Sequence, residues 1–181
     1  MYDAAHFNGF AKSELDDQLF SDLWNYDVFN ESDLHSAAYY YIRTYFAKRE
    51  SDNIFVRCEP QLTGKKPDIV VYDNSRPVYV LEFKMFPEPE SINEARIDAD
   101  LDKLNDFIRS VDTLKWGFFV LVYDSDDDFK ITDPKLRRQG LDNISVIGIN
   151  LHRQKENGRR RTGYDQWRTE FDRLRAHDRK W

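Results

Sequence analysis

At 181 residues the chain has about the length of one domain, enough to bury roughly 70% of its unfolded surface. Hydrophobic residues make up 40% and charged residues 33%, with seven Gly and six Pro, which excludes disordered and fibrous classes. The net charge of −6 is uneven: Leu151 to Trp181 carries ten Lys/Arg against five Asp/Glu, a net +5 that leaves −11 on the preceding 150 residues. A basic end on an acidic body suits either a polyanion partner or a solvated tail.

Cys58 is the only cysteine, which rules out an internal disulfide and a zinc cage built on thiolates, and it reads as a small filler in a strand. No stretch reaches the roughly 18 apolar residues of a membrane helix, and Met1-Tyr2-Asp3 lacks the basic start of a signal peptide. The expectation is a cytoplasmic protein with no membrane partner. With no repeat and no Pro-, Gly- or Ser-rich linker, one domain over residues 1–181 is expected, its core at about 30–150 and a basic loop and C-terminal helix at 151–181.

In chain order, the segment to about Asn30 places Phe10, Leu19, Phe20, Leu23 and Trp24 among acids and predicts helical cover without a defined start. In ESDLHSAAYYYIRTYFAKRE, Leu34, Ala37, Ala38, Tyr41, Ile42 and Tyr45 recur at helical spacing, with Asn30 or Ser32 as cap and Lys48 and Arg49 in the last turn. Consecutive residues on a helix point in different directions, so Tyr39-Tyr40-Tyr41 reads as packing rather than a base-stacking platform. NIFVRCEP, DIVVYD and VYVLEFKMF then read as strands, separated by TGKK and NSRP turns.

Pro87 and Pro89 end that run, and Ser91-Ile-Asn-Glu94 reads as a capping box for a helix to about Ser110 with Leu101, Leu104 and Ile108 inside. The apolar runs 116–123 and 144–150 predict strands covered on both faces, with the acidic loop DSDDDF between them. YDQWRTEFDRLRAHDRKW spaces Trp167, Phe171 and Leu174 for a last, basic-faced helix. Three strands joined by turns should be antiparallel, and the two later ones, reached by long crossings, can add in parallel. The fold class is α/β, with a central mixed sheet flanked by helices.

Chemistry concentrates in KPDIVVYDNSRPVYVLEFK, residues 66–84. Strand alternation puts Glu82 and Lys84 on one face and Tyr79, Leu81 and Phe83 on the other. For Asp68 to oppose Glu82 directly, paired positions must sum to an even number, which predicts a three-residue loop around Asn74 to Pro77. Two carboxylates and an ammonium would then converge, and the carboxylates repel unless a cation lies between them. With no neighbouring His or Cys the donors are only hard oxygens, so Mg²⁺ or Mn²⁺ rather than zinc suits Asp68 and Glu82, with the main-chain carbonyl of Phe83 as a third ligand. Lys84 would orient a water or neutralise charge on a phosphate, and the set describes phosphodiester hydrolysis. The competing reading is a solvated strand face, with Asp68 capping a turn.

Pro67-Asp68, the hairpin, and Glu82-Phe83-Lys84 together resemble the motif of the PD-(D/E)xK nuclease superfamily, and the element order over residues 30–123 is similar to that family's restriction-endonuclease-like core. The resemblance implies metal-dependent cleavage of nucleic acid, DNA before RNA, with Asp68 and Glu82 as metal ligands and Lys84 as the catalytic lysine. It also implies a further acid, for which Glu31 and Glu59 compete, and a polar residue on the following helix, where Lys103 stands as a phosphate contact or a surface lysine. His35, one turn past Glu31, reads as a packed or capping histidine. Arg159, Arg160 and Arg161 are candidates for phosphate contact from a loop. Cutting both strands of a duplex would need a homodimer. Two alternatives remain: an inactive module of the same fold that binds nucleic acid or protein, and a structural subunit of a viral or defence assembly.

Overall fold

The computed structural model describes residues 4–24, 28, 30–49, 51–86, 92–123 and 143–151. Their order is α1 (Ala4–Lys12), α2 (Glu14–Trp24), α3 (Glu31–Ala47), β1 (Ile54–Cys58), β2 (Ile69–Asp73), β3 (Arg76–Phe86), α4 (Glu94–Ser110), β4 (Trp116–Tyr123) and β5 (Ile144–Asn150). The acidic loop, the predicted C-terminal helix and Arg159, Arg160 and Arg161 lie outside the described residues. No helix among the described residues is long and apolar enough to cross a membrane.

The first thirty residues supply two helices that turn at Ser13, whose hydroxyl donates to Gly9 O (2.8 Å) while its carbonyl accepts from Asp17 N (2.9 Å). Asp16 lies between the buried Leu15 and the neighbouring acid Asp17. Burial, then Asp17, pushes its carboxyl up to about 6. The folded state therefore holds this proton more tightly than the unfolded chain, where the group titrates near ~3.9. The stability it contributes is complete below that value and is lost as pH rises through about 6. Asp16→Asn should match the parent at pH 4 and exceed it at neutral pH. Discounted for a half-exposed group, the gain is about 1 kcal/mol, or about 2–4 °C in Tm. Melting curves of the two proteins that stay parallel from pH 4 to 8 would contradict this.

α3 begins where the Asn30 side chain accepts from Asp33 N (3.0 Å), and it buries Leu34, Ala38, Ile42, Tyr45 and Phe46 along one stripe. Of the three consecutive tyrosines, Tyr40 is exposed, while Tyr39 and Tyr41 pack against the core and the Tyr41 hydroxyl donates to Asp22 (2.7 Å). The cap of α4 is Asn93, accepting from Arg96 N at 3.2 Å, rather than Ser91, which lies outside the described residues.

The five strands form one sheet in the order β1-β2-β3-β4-β5. The first three are antiparallel, and β4 and β5 add in parallel. Each face carries its own core: α1, α2 and α3 pack over Ile69, Val71, Leu81, Phe83, Phe118 and Val120, and α4 packs over Val70, Val80, Phe86, Phe119 and Leu121. β4 is buried on both faces, as its continuous apolar run predicts. Coverage of β5 is incomplete, since Gly148 is exposed. Cys58 is likewise exposed at the end of edge strand β1, so it does not act as the expected filler.

The β2–β3 hairpin departs from the predicted loop. The turn has two residues, Asn74 and Ser75, both with left-handed φ (48° and 70°), as the tight primed hairpin turns require. That turn alone would pair positions summing to 149, as Tyr72↔Pro77 and Asp73↔Arg76 do, and would set Asp68 against Leu81. A β-bulge between Val71 and Tyr72 changes the register, and beyond it Val71↔Tyr79, Val70↔Val80 and Ile69↔Leu81 sum to 150. Val78 is the extra residue, and it lies with Tyr79 in the core on the α3 side. The bulge thus restores the even parity that carries Asp68 to the Glu82 face.

Candidate active site

Asp68 immediately precedes β2, and its backbone extends the ladder through Glu59 N to Asp68 O (2.9 Å). Its Oδ2 accepts from Phe83 N at 2.7 Å, so Phe83 joins the site through its amide, and the ring of Phe83 packs on the α3 side. Burial pushes the Asp68 carboxyl up; the Phe83 amide, His35 and Lys103 oppose the rise and Glu31 adds to it.

Glu82 is only 2% exposed, which excludes the solvated-face reading. A buried carboxylate needs a partner. Lys103, projecting from α4, donates to Glu82 Oε2 at 2.8 Å, while Oε1 has no hydrogen-bond partner among the described residues. Burial first, then Asp68, pushes the Glu82 carboxyl up to about 8, with Lys103 pulling down and Asp100 adding to the rise. Where the two acids meet, the site is short of positive charge.

Lys84 points to the same face and is itself clamped. Its Nζ lies 3.2 Å from Glu31 Oε1 and 3.3 Å from Asp100 Oδ2. Burial alone would push the ammonium down, but Glu31 and Asp100 outweigh it and the net shift is upward, so Lys84 is held charged. The strand and the helix match crosswise: acid Glu82 meets base Lys103, and base Lys84 meets acid Asp100.

Glu31, the first residue of α3, reaches β3 at both Lys84 Nζ and Met85 N (3.4 Å). Glu59 does not share that position. It is exposed, its φ of 46° turns the chain out of β1, and its tie to the site is the backbone bond to Asp68. His35, one turn beyond Glu31, packs its ring 5.2 Å from that of Phe83 and sets Nε2 3.5 Å from Asp68 Oδ2. A histidine therefore stands beside the first acid, against the expectation of no neighbouring His, because α3 carries it there from 33 positions earlier in the chain.

Asp100 is the member that the sequence reading omits. It sits next to Leu101 at the margin of the buried stripe of α4, three residues before Lys103, where charges ordinarily meet water. The available signal was complementarity: an acid and a base at i, i+3 beside an apolar stripe, facing an acid and a base at i, i+2 on a strand. Lys103 is turned inward to Glu82 and does not stand as a free surface lysine.

As a donor set, Asp68 and Glu82 offer carboxylate oxygens, one of them buried and without a hydrogen-bond partner among the described residues, which suits a hard divalent cation. Among the described residues no three His, Cys, Asp or Glu side chains form a ready-made metal cage. Two carboxylates with a main-chain carbonyl and waters ask for fewer side chains than that, which is the usual habit of Mg²⁺. No family model and no curated protein matches this chain.

Proposed function

We propose that the chain is a Mg²⁺- or Mn²⁺-dependent nuclease of restriction-endonuclease-like fold, cleaving phosphodiester bonds in nucleic acid, with DNA as its substrate. The observation that carries this reading is the meeting of Asp68 with the buried, half-partnered Glu82 beside two lysines on one face of the sheet. Asp68, Glu82 and the Phe83 carbonyl would hold the cation. When bound there, the cation supplies Lewis-acid polarisation of the phosphodiester and activation of water. Lys84, fixed and kept charged by Glu31 and Asp100, offers its ammonium to charge developing on the phosphate rather than serving as a base. Glu31 is the third acid of the site. Arg159, Arg160 and Arg161 would add non-specific phosphate contacts, and a duplex cut on both strands calls for a symmetric dimer.

A second reading, an inactive module that binds nucleic acid or a partner protein, draws on one observation: Glu82 and Lys84 already have ion-pair partners. Plasmid and single-stranded oligonucleotides incubated with Mg²⁺, Mn²⁺ or EDTA separate the two. The nuclease reading expects cleavage with either metal and none in EDTA, with Asp68→Asn binding the substrate but failing to cut it. Binding by the wild type without cleavage under any metal would support the module instead.

A further inference from the structure

Among the described residues Glu82 has a hydrogen-bond partner on one oxygen and none on the other, and it is only 2% exposed. Among the described residues, Lys103 is the cation that acts on both Asp68 and Glu82, since Lys84 is engaged by Glu31 and Asp100. Lys103 thus does for the acid pair what a metal would do. Its side chain is 25% exposed on a flexible stem at the margin of α4, so a path to solvent is open to it and closed to Glu82. A divalent cation placed between the carboxylates would meet the ammonium as a like charge at short range in a poorly solvated setting, where the repulsion is strong.

We propose that Lys103 is the internal counter-ion of the Asp68–Glu82 pair and that divalent cation binding displaces it from Glu82, leaving its ammonium free to meet a substrate phosphate. This rests on the reading of Asp68 and Glu82 as the cation site. Lys103 then has two stations: in the cation-free protein it neutralises a buried acid, and in the loaded protein it faces outward. The exchange would spare the cation-free site from leaving both oxygens of a buried acid without a partner.

Calorimetric titration of the full chain with MnCl₂, alongside thermal melts with and without Mn²⁺, tests the exchange in wild type and Lys103→Met. Removing the competitor should tighten Mn²⁺ binding about tenfold, and the variant should melt below the wild type without metal but recover with it. Equal or weaker Mn²⁺ affinity in the variant would overturn the proposal. Because Lys103→Met removes the hydrogen-bond partner of a buried acid and could unfold the cation-free chain, the wild type is also followed by NMR with ¹³C-labelled lysine ε-carbons. Under Mg²⁺ the Lys103 signal should move to the position of a solvated lysine and return with EDTA. A signal that stays fixed, or a chain that binds no divalent cation, overturns it. Exchange without any cleavage of nucleic acid would count against the nuclease reading alone, and cleavage with Lys103 fixed would count against the exchange alone.

Discussion

If the chain is the proposed nuclease, Lys84→Ala should lower the single-turnover rate of metal-dependent cleavage by about 10²–10³-fold, the loss typical when one preorganised charge donor is removed from a developing oxyanion. The ammonium is held by carboxylates from two helices, Glu31 of α3 and Asp100 of α4, so its position is set from both sides of the sheet. A group fixed in this way needs no reorganisation as the transition state forms. Its loss should therefore fall on kcat rather than on KM. The variant also leaves Glu31 and Asp100 without their shared cation, so its melting temperature should drop modestly. Circular dichroism at the assay temperature separates that effect from the chemical one. A folded Lys84→Ala that keeps its rate within about threefold of the parent would reduce Lys84 to a structural ion pair.

Phe7→Ala destabilises the fold by about 3–5 kcal/mol, the range for truncating a fully buried aromatic. Phe7 has no exposed surface and sits among the rings of Tyr79 (4.5 Å), Phe46 (5.3 Å), Phe118 (5.5 Å), Phe10 (5.8 Å) and Tyr45 (5.9 Å). One side chain thus joins α1 to α3, β3 and β4, and a helix of nine residues cannot hold itself in place by its own hydrogen bonds. Urea denaturation should show a lower midpoint with an unchanged slope. A loss below about 1 kcal/mol would mean that α1 is a peripheral element.

The sheet and its two main helices were legible because their periods are clean: alternation and turn residues for β1 to β3, continuous apolar runs for β4, and a helical stripe with an Asn cap for α3. Antiparallel and parallel pairing followed from connection lengths. The way Asp68 comes to face Glu82 was not legible. Val78 reads as one more apolar residue of a strand, and nothing in VYVLEF marks it as a bulge, so the correct facing was expected through an incorrect three-residue loop. Asp100 and the inward pairing of Lys103 were hidden for another reason. Charges beside the apolar stripe of an amphipathic helix belong to solvent unless the opposing surface carries their complements, and that surface is assembled only by the fold. Glu31 and Glu59 were indistinguishable as acids near the motif. They separate because the left-handed turn at Glu59 takes it out of the strand, while the start of α3 delivers Glu31 to Lys84.

That two acidic side chains share one divalent ion is best tested by a crystal soaked in MnCl₂, with diffraction recorded above and below the manganese edge. The expected result is an anomalous peak bonded to a carboxylate oxygen from each of Asp68 and Glu82, with the Lys103 ammonium withdrawn from Glu82. Manganese found only elsewhere on the molecule, with the Lys103–Glu82 pair intact, would contradict it.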